Sequence, residues 1–276
     1  MHDNINARKL RGKPAIEAAH AGVTGEDEAA LAKLRALKAD DILKRQGNMK
    51  SEGAVAPFID GKVLPEDVSV LFAKGDIAKI AYMAGSNSNE ASLAPALGTD
   101  LVKMPSQAGD ALPMVRAIYE AGGKLSDHEF GRQFFGDALF TAATQSLAKF
   151  VTRAGGTAHV YYFAYVADSL RGDDVVGVNH GGEIAYVFGF RGLGILALRA
   201  SDKDRSIVAL TQNYWTNFAK TGDPNGAGLP QWPAFTAADQ QTLVFDDTTR
   251  AAADFRRSQA GVMETGWSKR TGQSRP

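Results

Sequence analysis

The stretch "VNHGGEIAYVFGF", Val178 to Phe190, presents His180 in a loop flanked by glycines and followed at once by a helical pattern that carries Glu183. An imidazole held this way can take and return a proton near neutral pH, provided a carboxylate fixes its tautomer and stabilises its charged form. The candidate carboxylate is Glu90, in "AGSNSNEAS" (Ala84 to Ser92). Taken singly, each has a plainer reading: a glutamate after a strand is commonly a loop charge or a helix cap, and a loop histidine a hydrogen-bonded structural residue. His180 and Glu183, at H-x-x-E spacing, could share a helix face and hold a metal, but two ligands without a third make a poor site. Glu183 therefore reads as a loop anchor or cap. His2, His20, His128 and His159 show no ligand spacing.

These residues need elements to place them. "IAKIAYMAG", Ile77 to Gly85, is a short apolar run closed by glycine and reads as a buried strand, with polar loop chemistry in "SNSNEAS" directly after it. "AHVYYFAYV", Ala158 to Val166, is β-branched and aromatic, hence a second strand, and the His180 loop follows it. Between the two, "GDALFTAATQSLAKFVTRAGG" spaces Leu139, Ala143, Leu147 and Val151 along one helix face and stops at Gly155. Ile207, Leu210, Tyr214 and Phe218 mark the inner face of a later helix that ends at Gly222. Near the start, "TGEDEAALAKLRALKADDILKRQ" offers Thr24 as N-cap of one helix or two short ones. Helices alternating with buried strands imply an α/β fold, in which catalytic groups gather past the carboxyl ends of strands. Glu90 and His180 both lie there, in the order acid then histidine that α/β-hydrolases use.

Composition narrows the chemistry. The 276 residues are 44% hydrophobic, and Lys plus Arg equals Asp plus Glu at 31 each, so nothing marks a nucleic-acid or anionic-membrane surface. A small neutral ligand is the better expectation. With no cysteine, disulfides, thiolate catalysis and cysteine-based metal sites are excluded. The first residues have scattered charges and no apolar core, and no stretch approaches a membrane span; the chain as it stands reads as soluble and cytoplasmic, without a signal peptide.

The sequence resembles the type B carboxylesterases, which include the cholinesterase-like α/β-hydrolases. The resemblance is carried by "FIDGKVLPED" (Phe58 to Asp67), "AGSNSNEAS", "VYYFAY" leading to "NHGGEIAYVFG", and "YWTNFAKTGDPNG" with "WPAF" after it. It implies a serine-dependent carboxylic ester hydrolase in which His180 is the triad base and Glu90 the triad acid, acting on a small-molecule ester with no cofactor and no metal. Asp60, Trp215, Asp223 and Trp232 match positions of structural or packing character.

The departure from that pattern concerns the nucleophile. Ahead of Glu90 the serines are Ser51, Ser69, Ser86 and Ser88, none of them in a G-x-S-x-G elbow, and no such elbow occurs anywhere in the sequence. The glycine-rich loop that would donate to an oxyanion is also absent from the first 89 residues. The expectation is the C-terminal portion of an α/β-hydrolase: a partial esterase domain over residues 1–250, a mixed sheet flanked by helices, and a loosely ordered tail at 251–276. Such a portion leaves a sheet edge open to a missing N-terminal half or to self-association. A rival enzyme reading pairs Ser146 and Lys149 (S-x-x-K) with the triplet Lys220 to Gly222 (K-T-G), as in serine β-lactamases, but the triplet ends a helix and no S-D-N accompanies it. A third reading is a non-catalytic binding module on an esterase fold.

Overall fold

The computed structural model describes residues 22–25, 27–41, 44, 59–189 and 199–276. Ser51, Phe58, Phe190, His2, His20 and the end of the first helical stretch lie outside them. The chain divides into two compact units, Met1–Leu71 and Phe72–Pro276.

In the first unit, helix α1 (Glu28–Arg35) is capped by Asp27, whose carboxylate accepts from the Ala30 amide at 2.8 Å, so Asp27 and not Thr24 takes the N-cap. Asp60 folds its own turn by accepting from the amides of Lys62, Val63 and Leu64, each at 2.9 Å. These bonds hold its carboxyl below the ordinary range, the Lys62 amide most of all. That is the structural role expected of it. Helix α2 spans Val68–Lys74.

The second unit is built on a four-stranded sheet in the order β1 (Tyr82–Asn87), β2 (Ala158–Phe163), β3 (Thr242–Phe245), β4 (Arg250–Ala252). The first three strands are parallel and β4 is antiparallel, which makes the mixed sheet of an α/β fold. Strand β1 starts later than its apolar run suggests and continues through Ser86 and Asn87. Its partner β2 begins only at Ala158, just past the turn at Gly155 and Gly156, so Ile77 to Ala81 have no ladder to join. Gly85 sits opposite Tyr161, and a Cβ there would lie 2.3 Å from the tyrosine ring, a close approach only glycine allows.

Helices cover both faces. Helices α3 (Leu112–Tyr119), α4 (Asp127–Gly136) and α5 (Ala142–Arg153) connect β1 to β2, with a π-helical turn, Asp137–Thr141, between α4 and α5. Val115, Tyr119, Phe130, Phe134, Phe135 and Met263 form the core among these helices. Ala148, Val151, Ala158, Val160 and Phe235 bury the side of β2 that faces α5. On the opposite face, beyond the short helix α6 (Ile184–Val187), helix α7 (Asp202–Thr221) packs Ile207 and Tyr214 against Phe163, Trp232, Leu243 and Phe245. Trp232 is fully buried and donates its indole N–H to the Val160 carbonyl at 3.1 Å. Trp215 rests edge-on against Tyr161 with ring centroids 5.1 Å apart, and Asp223 accepts from the Asn225 amide at 2.9 Å, so these positions do pack and brace the fold.

Two expectations change here. The inner face of α5 carries Ala142, Gln145, Ala148 and Lys149 beside Val151, not the Leu139, Ala143, Leu147 row. The π turn inserts one extra residue, which rotates everything after it by about 100°. The segment 251–276 is also not a loose tail: Arg257–Thr271 is helix α8, burying Ala260, Met263, Glu264 and Trp267. Its packing rests partly on an ion pair, Lys149 Nζ to Glu264 Oε1 at 2.6 Å, between two side chains each less than a tenth exposed. A pattern search for apolar residues cannot see such a contact.

Candidate active site

Strand β1 ends at Asn87, and three residues later the chain tightens into a 3₁₀ turn, Glu90–Leu93, that carries the acid. Beyond β2, the chain returns to the same end of the sheet and makes a single parallel bridge, Asn89 to Asn179. The Asn89 amide donates to the Val178 carbonyl at 2.8 Å, the Val178 amide to Ser88 Oγ at 2.8 Å, and the His180 amide to Ser92 Oγ at 2.9 Å. The two loops are therefore stitched together by backbone and serine groups before either functional side chain is considered. Glycine is needed at two places: Gly181 has φ +72°, and a Cβ on Gly182 would meet Val178 Cγ1 at 2.7 Å.

This stitching brings His180 Nδ1 within 2.6 Å of Glu90 Oε2, although the residues lie 90 positions apart. The other oxygen, Oε1, accepts from the Asn87 amide at 2.7 Å. Both oxygens of the acid thus have fixed partners. Glu90 is buried, with 5% of its side chain exposed, whereas the His180 side chain is 42% exposed. Burial pushes the Glu90 carboxyl above its ordinary 4.5, the nearby Glu183 adds to this, and the Asn87 amide and His180 pull in the opposite direction. The His180 ring lies 5.1 Å, centroid to centroid, from Phe140, which the π turn presents. With Nδ1 engaged, Nε2 is the ring nitrogen left for a reacting proton.

Glu183 anchors the loop: its Oε2 accepts from Asn87 Nδ2, which also donates to the Asn179 carbonyl at 3.0 Å. Among the described residues no cluster of three or more His, Cys, Asp or Glu side chains could hold a metal. The rival Ser146 and Lys149 are structural. Ser146 Oγ donates back to the Ala142 carbonyl at 2.7 Å, the Lys149 ammonium is committed to Glu264, and Lys220 to Gly222 close α7 with Gly222 in the left-handed cap. Ser86 Oγ lies 2.9 Å from Thr141 Oγ1, inside the fold. Sequence reasoning assigned no part to Asn87, Ser88, Ser92, Asn179 or Phe140; the polar run "SNSNEAS" was the one available signal, since side chains that bond to backbone favour such turns.

Beside the His180 loop lies a cavity of about 730 Å³, lined by apolar side chains that include Val166, Leu170, Val176, Val178, Ile184 and Phe188. Leu170, Val176, Ile184 and Phe188 are each at least half exposed, an apolar rim beside the loop that carries His180. No helix among the described residues is long and apolar enough to cross a membrane.

Residues 126–262 match the model of the Carboxylesterase family. Among curated proteins, the chain is 27% identical over 229 residues to Carboxylesterase 4A of Bos taurus, covering 73% of this chain and 40% of that one. It is 26% identical over 262 residues to Carboxylesterase 1C of Mus musculus (85% and 46%) and 25% identical over 242 residues to Liver carboxylesterase 1 of Oryctolagus cuniculus (79% and 42%). The chain thus spans less than half the length of these relatives. Joined to the mixed α/β sheet and the motifs at its strand ends, these matches support the type B carboxylesterase family for this chain.

Proposed function

We propose that this chain supplies the acid and base of a carboxylic ester hydrolase. Glu90 holds the Nδ1 proton of His180, so that Nε2 can take the proton of a serine hydroxyl as that oxygen attacks the ester carbonyl. The proton then passes to the departing alcohol oxygen, leaving an acyl-serine. A second cycle, in which His180 takes a proton from water and returns it to the serine oxygen, releases the acid. The serine and the oxyanion donors come from residues outside this sequence, which has no G-x-S-x-G elbow. The observation that carries the reading is the 2.6 Å contact between His180 Nδ1 and a buried carboxylate whose second oxygen is already occupied.

The test is complementation with a separately expressed segment bearing the serine elbow. An interface of roughly 2,000 Å² is enough to hold two such parts together without a covalent link. The mixture should hydrolyse a short-chain nitrophenyl ester that this chain alone leaves near background. His180→Ala should lower turnover by about three orders of magnitude or more, and Glu90→Gln by a comparable or smaller factor. An active complex indifferent to both substitutions overturns the assignment.

The second reading, a non-catalytic binding module, is favoured by one observation, the 730 Å³ apolar cavity that needs no nucleophile to hold a ligand. It predicts that an apolar ester binds this chain alone and that the complemented mixture shows no serine labelling by a fluorophosphonate.

A further inference from the structure

We propose that Asn87 is the positioning residue that sets the distance between acid and base. The proposal rests on the pairing of Glu90 with His180 described above. Asn87 closes β1 and is 3% exposed. Its backbone N–H donates to Glu90 Oε1 at 2.7 Å. Its side-chain amide donates to the Asn179 carbonyl at 3.0 Å and to the Glu183 carboxylate, the groups that lie one residue before His180 and three after it. One residue thereby grips the acid with its main chain and both sides of the histidine with its side chain.

The amide can sit in one orientation only. Turned over, Oδ1 would face a carbonyl oxygen and a carboxylate oxygen, three acceptors together with no hydrogen between them. As placed, Oδ1 is buried and has no hydrogen-bond partner. A buried acceptor left unmatched works against the fold, so this site keeps two donors on the histidine loop at the expense of one oxygen. A merely space-filling side chain would leave no such imbalance. Glu183 has a defined part in the same scheme, as the charged acceptor that fixes the amide.

The test reads the bond and not the reaction. The exchange rate with solvent of the His180 Nδ1 proton, followed by proton NMR, reports how often the pairing with Glu90 opens. Asn87→Ala keeps the backbone N–H to Glu90 and removes the grip on the loop, and exchange should quicken by about tenfold or more, the loss of one hydrogen bond to a charged group. Asn87→Asp keeps the shape but sets a carboxylate against the Asn179 carbonyl and Glu183, and exchange should quicken at least as much. Combining Asn87→Asp with Glu183→Gln returns a donor to the second of these contacts while the Asn179 carbonyl stays unmatched, so exchange should slow by about threefold or more relative to Asn87→Asp alone without reaching the wild-type rate. Chemical denaturation of each variant separates local opening from global loss. Should Asn87→Ala fail to fold, the Asn87→Asp pair still decides. Unchanged exchange in the single variants, or exchange in the double variant as fast as in Asn87→Asp alone, overturns the role. A wild-type Nδ1 proton with no protection overturns the pairing itself and the role with it. An esterase complement indifferent to His180→Ala, with the exchange pattern as expected, would refute the catalytic reading and leave the positioning intact.

Discussion

Replacing Glu90 by glutamine tests the site at the level of a single proton. In the wild type the carboxylate offers acceptors alone: Oε1 is taken by the Asn87 N–H at 2.7 Å, and Oε2 stands 2.6 Å from Nδ1. A neutral imidazole must therefore carry its proton on Nδ1. A hydrogen bond to an ionised group contributes about 1.5–3 kcal/mol, so this tautomer is favoured by roughly 10- to 100-fold. In Glu90→Gln the Asn87 N–H still demands an oxygen, because turning the amide over would set N–H against N–H. The glutamine oxygen stays on Asn87 and its NH₂ faces Nδ1, which must now accept. The proton moves to Nε2, favoured by a neutral bond of about 0.5–1.5 kcal/mol, a swing of about 2–4.5 kcal/mol in all. In the proposed reaction Nε2 is the atom that accepts the serine proton, so the variant would be disabled with its geometry intact. Ring ¹⁵N shifts of His180, assigned by comparison with His180→Ala among the five histidines, read the tautomer directly and need no nucleophile. A Glu90→Gln protein whose neutral His180 still carries its proton on Nδ1 refutes the reasoning.

Three further outcomes follow from the same coordinates. Burial raises the Glu90 carboxyl, so its contribution to stability is whole below the unfolded value of 4.5 and is lost as pH rises through the folded value; Glu90→Gln should therefore gain stability relative to wild type between about pH 4 and pH 7, and a constant difference in denaturation midpoints contradicts this. Arg256 grips the 3%-exposed Asp137 through Nε at 2.7 Å and Nη2 at 2.6 Å, so Arg256→Ala should cost about 3–5 kcal/mol, against less than about 1 kcal/mol for Arg205→Ala at an exposed pair, both measured by urea unfolding. Gly85→Ala places a methyl carbon 2.3 Å from the Tyr161 ring and should cost about 1–3 kcal/mol, with melting unchanged if β1 and β2 are not paired in this register.

The order of elements was legible because it rests on short-range signals, apolar and aromatic runs for strands and loops rich in groups that bond to backbone, whereas the pairing of Glu90 with His180 was expected from the order acid then histidine and from the resemblance to the carboxylesterases. What escaped was contact between distant polar groups. Lys149 reads as an exposed charge on α5 until Glu264 arrives from α8, 115 positions away, and without that partner α8 has no apolar face strong enough to announce itself. Gln145 is likewise fully buried because its amide reaches the Phe255 carbonyl at 2.8 Å. The π turn at Asp137–Thr141 has no pattern of its own, yet it rotates the helix after it and turns Phe140 toward His180.

The two halves of the pair are held in opposite ways, and the difference follows from what each must do. The acid sits at a strand end, buried, with both oxygens committed and its charge disfavoured by burial; a group held this firmly can orient a partner but is poorly placed to react. The base lies on a loop, nearly half exposed, held by its backbone amide on Ser92, by Nδ1 and by the ring of Phe140, with Nε2 left for other chemistry. Rigidity is thus concentrated on the Nδ1 side of the imidazole, and access on the Nε2 side, the one that meets a substrate in the proposed reaction. The apolar cavity opens along the same loop, lined by Gly181 and Gly182, so in the proposed reaction an apolar group of the substrate would rest against the residues that directly follow His180.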